Sequence, residues 1–339
     1  MVMILFTNIY EKIKEFIKNN LKELIIIAVL VALFSIELPF VIYKPGGLVN
    51  LNNRINVTDG YETKGKIGMC YVSMLKGKIP FVLLSYIMPN WDLEKSENVT
   101  YDGDSVSETL KKDRIQTQES IDNAIISSYK LTDHKLDITG YHNHVIYVLK
   151  DAETTIKDYD EIISIDNIEI KSLAEMKKII NSHKENDVLN ILVKRGKKEV
   201  LTTSKVFKVD NELKIGVSVI TTYDYVTNPE VKIKTKESES GPSGGLMMAL
   251  SIYNKLTKED ITKGKIIAGT GTIDASGNVG EIGGVKYKVL GAIKKHADVF
   301  LCPEENYDDA IKALNGNKKL KVIKVSTLEG TIKALKNLD

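Results

Sequence analysis

Cysteine is almost missing: Cys70 and Cys302 are the only two in 339 residues. No Cys-x-x-Cys pair or Cys/His spacing of the structural-zinc kind exists, so a stapled or zinc-organised fold is excluded. Two unpaired thiols, in different domains, are expected. An excess of charge of one sign is missing as well. Lys+Arg number 47 and Asp+Glu 45, a formal net charge of +2, and no basic block stands out beyond the N-terminus. That balance gives nucleic acid no footing. Nor does Gly-x-x-x-x-Gly-Lys-(Ser/Thr) occur anywhere in these residues, so they hold no loop for ATP phosphates. What is present suits buried cores: 43% of residues are hydrophobic and 27% charged. The length suggests two or three domains.

Long apolar runs are also scarce, with one exception. Residues 24–36 carry no charge, and apolar character resumes after Glu37 through Leu38-Pro39-Phe40-Val41-Ile42-Tyr43. The uncharged run alone is too short for a bilayer; with its continuation it reaches the ~20 residues a spanning helix needs. Lys12, Lys14, Lys18 and Lys22 precede it, which favours a cytoplasmic N-terminus and places everything after Lys44 outside. A cleaved signal peptide lacks its small-x-small site here, and a buried soluble helix would need a polar face. The expectation is therefore a single-pass cell-membrane anchor: cytoplasmic residues 1–22, a transmembrane helix over 23–43 and an extracytoplasmic β/helical region over 44–130. Within that region, strands flank a Lys76-Gly77-Lys78 turn, and a helix runs from Asp104-Ser105 to Thr132-Asp133.

From His134 the pattern changes to short strands. Tyr159-Asp160-Glu161-Ile162-Ile163-Ser164-Ile165-Asp166 precedes Ile168-Glu169-Ile170, a helix over 172–181, and a strand over 188–195 ending at Gly196. In that order residues 131–206 resemble PDZ domains, although Tyr159 stands where a glycine is usual. The resemblance implies capture of an extended peptide by strand addition. The only candidate for its carboxylate-binding loop is Gly140-Tyr141-His142-Asn143-His144. His142 and His144 fall on one strand face, where a metal would need a third ligand such as His134; an ordinary polar face is the expected reading.

The richest chemistry lies between Glu237 and Leu290. Gly241-Pro242-Ser243-Gly244-Gly245 opens an apolar segment, Leu246 to Leu256, which reads as a buried helix. Ser243 fits a helix cap, but the glycine frame also lets another backbone approach it, with unpaired N–H groups to hand. Thr270-Gly271-Thr272-Ile273 follows, then Ile282-Gly283-Gly284-Val285-Lys286-Tyr287-Lys288 at a helix start. Strands and helices alternate to the C-terminus, as in an α/β domain.

With these residues in hand, 207–339 resembles the proteolytic domain of Lon-type peptidases. Ser243 with Gly241, Pro242 and Gly244 matches the nucleophile motif, Thr270 the Thr-Gly-x-Ile element and Lys288 the catalytic lysine; Pro303-x-x-Asn306 matches a further element. The whole order is similar to membrane-anchored PDZ-Lon peptidases, an α+β and α/β multidomain chain. That likeness implies an ATP-independent serine endopeptidase with a Ser-Lys dyad, acting on secreted or membrane-attached peptides. It also implies self-assembly into rings, and neither cofactor nor metal.

A serine hydroxyl becomes a good nucleophile only when a base removes its proton. A lysine serves only when neutral, and burial lowers its pKa from ~10.4 by disfavouring the ammonium. Lys286 and Lys288 lie two apart on a helix, so both cannot reach Ser243. Periodicity does not choose between them; the resemblance chooses Lys288, with Thr270 orienting it. Two rivals remain. Gly-x-Ser-x-Gly also suits an α/β-hydrolase elbow, but Lys232, Lys234 and Lys236 alternate with apolar residues just before it, unlike a buried strand. The other is a non-catalytic, membrane-anchored PDZ scaffold with a degenerate Lon-like domain.

Overall fold

The computed structural model describes residues 2–100, 104–236 and 239–338. Glu237 and Ser238, which begin the glycine-serine stretch, lie outside the described residues. The chain divides into two compact units, one of residues 1–44 and 73–100, the other of 45–72 and 101–339. Two long strands, Glu37–Asn50 and Lys66–Lys78, contribute to both.

In the smaller unit, helices Val2–Asn19 and Leu21–Ser35 are followed directly by strand. A single helix over 23–43 does not form. Leu38–Tyr43 are extended, and Phe40–Tyr43 pair antiparallel with Asp92–Lys95. Pro39 cannot continue a helix, and the β-branched and aromatic residues after it favour a strand. No helix among the described residues is long and apolar enough to cross a membrane. At a rise of 1.5 Å per residue, the 15 residues of Leu21–Ser35 cover about 22 Å, short of the ~30 Å hydrocarbon core. None of them is buried: Ile26 and Val31 are each 60% exposed. Lys76-Gly77-Lys78 is not a turn but the end of the Lys66–Lys78 strand, and helix Ile79–Ser85 comes next. Gly77 has to be small, because a Cβ there would meet the Phe40 carbonyl oxygen at 2.5 Å.

Among the described residues the larger unit holds two large sheets and three two-stranded ones. One large sheet has the order Lys321–Val325, Val299–Pro303, Ile266–Gly269, then 66–72 and 45–50; the first four are parallel neighbours. Side chains alternate across it with period two. Ile67, Ile267, Val299 and Leu301 face a core shared with helices Gly245–Leu256, Val106–Lys130 and Leu328–Lys336. Cys70, Ala268, Phe300 and Cys302 face the other way, onto helices Val285–Lys294 and Tyr307–Ala313. Residues 44–130 are thus not a separate region: Lys66–Met69 pair with Ile266–Gly269, and Val106–Lys130 packs on the same core. The two cysteines, expected in different domains, share one cluster and are free thiols.

The second sheet runs Val217–Asn228, Lys135–Val148, Glu161–Ile165, Val188–Arg195, Lys198–Lys205, around its own core with helix Leu173–Asn181. It is inserted in the chain between helix Val106–Lys130 and the glycine-serine stretch. Its strand Val217–Asn228 lies beyond the 131–206 boundary expected from sequence. Arg195 donates to both carboxylate oxygens of Asp160 at 2.8 and 2.7 Å, which ties the Asp160 turn to the last residue of its strand. Tyr159 has φ +70, the backbone state that explains why glycine is usual there. The expected carboxylate loop is absent from Gly140–His144, since all five residues lie within strand Lys135–Val148 and pair with Ile220–Asp224. His142 lies between Glu161 (2.6 Å) and Asp224 (3.0 Å), which raise its pKa; His144 contacts Thr222, and His134 instead meets the Leu256 carbonyl.

Candidate active site

Ser243 stands on a tight turn. Gly241 has φ +103, a conformation that L side chains rarely adopt. One 3₁₀ turn, Pro242–Gly244, then leads into helix Gly245–Leu256. Pro242 suits this entry because its missing N–H would have no helical partner. A Cβ on Gly244 would lie 2.6 Å from Met69 Sδ, so a larger residue there would have to push aside the flexible Met69 side chain. Neither the turn nor the helix has a side-chain cap bond, so the capping role open to Ser243 in the sequence is not taken up.

The turn is pinned to the carboxyl end of strand Ile266–Gly269. The Ser243 carbonyl accepts from the Gly271 N–H at 2.8 Å and from the Thr270 hydroxyl at 2.9 Å. Leu246 N–H donates to the Gly271 carbonyl at 3.1 Å. From the opposite face of the sheet, Lys288 on helix Val285–Lys294 donates to Thr270 Oγ1 at 3.1 Å. Thr270 therefore bridges the lysine amine and the main chain of Ser243. The sites of open α/β sheets sit at this end of the strands, where helices from both faces converge.

Lys288 is 3% exposed. Burial brings its pKa down to about 8, against a smaller upward pull from Cys70 and Cys302. The thiols themselves are pushed up to about 12 by burial, so they are protonated and inert beside it. Lys286 is exposed, its amine 5.5 Å from the Tyr287 ring centre. Of the two lysines left open by periodicity, only Lys288 is buried. Asn306 aligns the approach to the lysine helix: its side chain accepts from Ile282 N–H at 2.8 Å and donates to the Ile282 carbonyl at 3.0 Å.

Helix Val106–Lys130 supplies partners that the sequence reading did not connect to this site. Gly241 N–H donates to Thr117 Oγ1 at 2.8 Å, and Ser120 Oγ donates to the Pro242 carbonyl at 2.8 Å. The signal was a helix face mixing Ala124 and Ile125 with Ser120, Asn123, Ser127 and Ser128, all buried. Polar residues are found so deeply buried only when something bonds them. A cleft lined by Glu119, Ser120, Pro242, Thr272 and Ile273 opens beside the turn.

The sequence that builds this site has counterparts in known proteins. Residues 188–337 match the family model of the Lon protease (S16) C-terminal proteolytic domain, and residues 144–206 that of the PDZ domain. Two segments of the chain thus resemble the Lon-type proteolytic domain and the PDZ domain. Residues 188–206, common to both matches, lie in the second sheet. Among curated relatives, a Lon protease of Trichlorobacter lovleyi is 35% identical over 98 residues, 28% of this chain and 12% of that protein. An archaeal Lon protease of Thermoplasma acidophilum is 26% identical over 145 residues, 41% of this chain and 22% of that protein. The chain thus spans under a quarter of the length of these relatives. The PDZ domain of an SdrC-like protein from Listeria monocytogenes is 26% identical, covering 25% of this chain and 93% of that one, with a TM-score of 0.23.

Proposed function

We propose that this protein is an endopeptidase in which Ser243 is the nucleophile and Lys288 the general base, acting without ATP. One observation carries the reading: a buried lysine with a lowered pKa, joined by Thr270 to the backbone of a serine on a tight glycine turn. Ser243 Oγ attacks the peptide carbonyl while the neutral Lys288 amine takes its proton. Lys288 returns that proton to the leaving amine, and the acyl-serine forms. Water, deprotonated by Lys288, then releases the acyl group. N–H groups of the turn stabilise the oxyanion, a contribution commonly of about 3–4 kcal/mol per donor. Thr270 keeps the amine aimed at the turn.

The PDZ domain supplies peptide capture, and the exposed apolar surface of Leu21–Ser35 supports attachment to a membrane, with the peptidase outside the cell. The test is hydrolysis of a flexible protein substrate without nucleotide. Ser243→Ala and Lys288→Ala proteins are expected to be inactive while keeping the wild-type thermal profile or a more stable one. Activity retained by Ser243→Ala would overturn the assignment, and a wild-type protein that binds peptide without cutting it would favour the scaffold alternative.

A further inference from the structure

Besides the N-terminal apolar run, the smaller unit holds another uncharged stretch, one broken by two prolines. Between Lys78 and Asp92 the chain reads Ile79-Pro80-Phe81-Val82-Leu83-Leu84-Ser85-Tyr86-Ile87-Met88-Pro89-Asn90-Trp91. Pro80 lies in the first turn of helix Ile79–Ser85, where a missing N–H costs nothing, and Pro89 stops its extension. Residues of this kind usually close over a core, yet only Val82 of the helix is buried. Leu83 is 63% exposed, Tyr86 and Ile87 are each 76% exposed, and Leu84 and Met88 are exposed too. Single apolar residues on a surface are ordinary; five within residues 83–88 make a patch.

The backbone of the patch is satisfied from within. Ile87 N–H and Met88 N–H donate to the Leu84 carbonyl at 3.1 and 2.9 Å, and Ser85 Oγ donates to the Val82 carbonyl at 2.7 Å. A segment that leaves water for lipid needs such closure. The patch also continues onto helix Leu21–Ser35. The Phe81 ring meets Phe34 edge-on, with ring centres 5.8 Å apart, so the segment sits at the carboxyl end of that helix. Residues 24–35 carry no charge on any side, and none is buried. A protein partner or a second copy covers one face of such a helix, whereas lipid covers all of them. At the far end of the stretch Lys44 Nζ lies 5.0 Å from the ring centre of Trp91. Tryptophan, tyrosine and a nearby lysine suit headgroup level, where apolar and wet surroundings meet.

We propose that residues 83–88 form a second membrane contact, an interfacial patch covered by phospholipid beside the end of helix Leu21–Ser35. Its apolar side chains enter the upper acyl chains, and Trp91 marks the headgroup boundary. This inference rests on the membrane attachment proposed above and is independent of Ser243.

The experiment uses the full chain reconstituted in phosphatidylcholine–phosphatidylglycerol vesicles, with Trp91, the single tryptophan, as reporter. Flotation with the vesicles measures attachment, and quenching by brominated phospholipids measures depth. Bromine near the headgroups is expected to remove about half or more of the Trp91 emission, and bromine at the chain ends much less, since interfacial segments lie about 5–10 Å deep. Leu83→Asp combined with Ile87→Asp places charge in the patch and is expected to reduce the quenching about twofold or more, with flotation retained through helix Leu21–Ser35. Should that variant fail to fold, Leu83→Ser combined with Ile87→Ser carries the same expectation. Flotation without quenching of wild-type Trp91, or unchanged quenching in the substituted protein, would overturn the proposal and leave the attachment standing. A wild-type protein that does not float would overturn both. Trp91 emission that shifts with protein concentration but ignores bromine would assign the patch to a second copy, which also overturns the proposal.

Discussion

Two lysines are buried to the same degree and tuned in opposite directions. Lys112 is 1% exposed and Lys288 3%. Lys112 reaches Asp104 at 2.8 Å and Asp158 at 2.6 Å, with the Tyr147 ring centre 5.4 Å away. Burial works against its charge, but hydrogen bonds and attraction from the two carboxylates outweigh that, and its pKa goes up. Lys288 has a threonine hydroxyl and two protonated thiols for company, and its pKa goes down to about 8. Burial alone therefore does not make a base. A lysine becomes one where burial is uncompensated by negative charge. Lys112 joins helix Val106–Lys130 to the loop that holds Asp158; Lys288 has no carboxylate partner to hold its charge.

The strongest way to break this contrast is to make Lys288 permanently charged. Lys288→Arg keeps a cation but cannot release its proton in this pH range, so a loss on the order of 10³-fold or more in kcat is expected. In the wild-type protein, acylation should rise about tenfold per pH unit up to about pH 8, then level off, because only the neutral amine accepts a proton. Initial rates of peptide hydrolysis between pH 6 and pH 10 measure this. A flat profile would falsify Lys288 as the base.

The same contrast predicts stability changes of opposite sign. The folded-state pKa of Lys288 lies below its unfolded value, so at pH 7 the fold holds an ammonium where it is disfavoured. That destabilisation is complete below about pH 8 and is relieved as pH rises from there to 10.5. Lys288→Met should thus stabilise the protein at pH 7 by on the order of 2–3 kcal/mol, with the gain vanishing above about pH 10.5. For Lys112 the pKa is raised, so its contribution is present below the unfolded value and lost as pH climbs through the folded one. Lys112→Ala strands two carboxylates and should cost about 3–5 kcal/mol at pH 7. Urea unfolding of the two variants reads both. The same sign for both would mean that their surroundings do not differ in the way described.

How far the sequence revealed this can be judged residue by residue. Ser243 drew notice because a glycine-framed serine at a helix entry is local chemistry, whereas Lys288 and Thr270 were singled out only by the resemblance, since periodicity does not choose between Lys286 and Lys288. The alternating elements after Ile266 were legible, and became strands and helices at nearly the expected positions. The partnership of Lys66–Met69 with Ile266–Gly269 was not, since a parallel pairing across 200 residues leaves no local mark. For the same reason the two cysteines looked remote from each other. The apolar continuation to Tyr43 misled because short apolar runs suit helix and strand alike; Pro39 and the pairing with Asp92–Lys95 settled it as strand. Gly140–His144 misled because glycine suggests a loop, yet here a Cβ would crowd Asp224 across the ladder, 2.8 Å from its Oδ2.

The smallest expected effect is also the one that sharpens the contrast most. Lys286 lies two residues from Lys288 on the same helix, is exposed, and rests its amine near the Tyr287 ring. A cation–π contact at such a surface is worth about 0.5–1 kcal/mol. Lys286→Ala is therefore expected to lower stability by no more than about 1 kcal/mol and to leave kcat within about twofold of wild type, with the pH profile unmoved. Neighbouring lysines of identical chemistry would then differ in catalytic effect by orders of magnitude through burial and direction on the helix. If the alanine at 286 abolished hydrolysis while one at 288 spared it, the buried amine would be a packing residue, and catalysis would have to proceed from the exposed face of the helix.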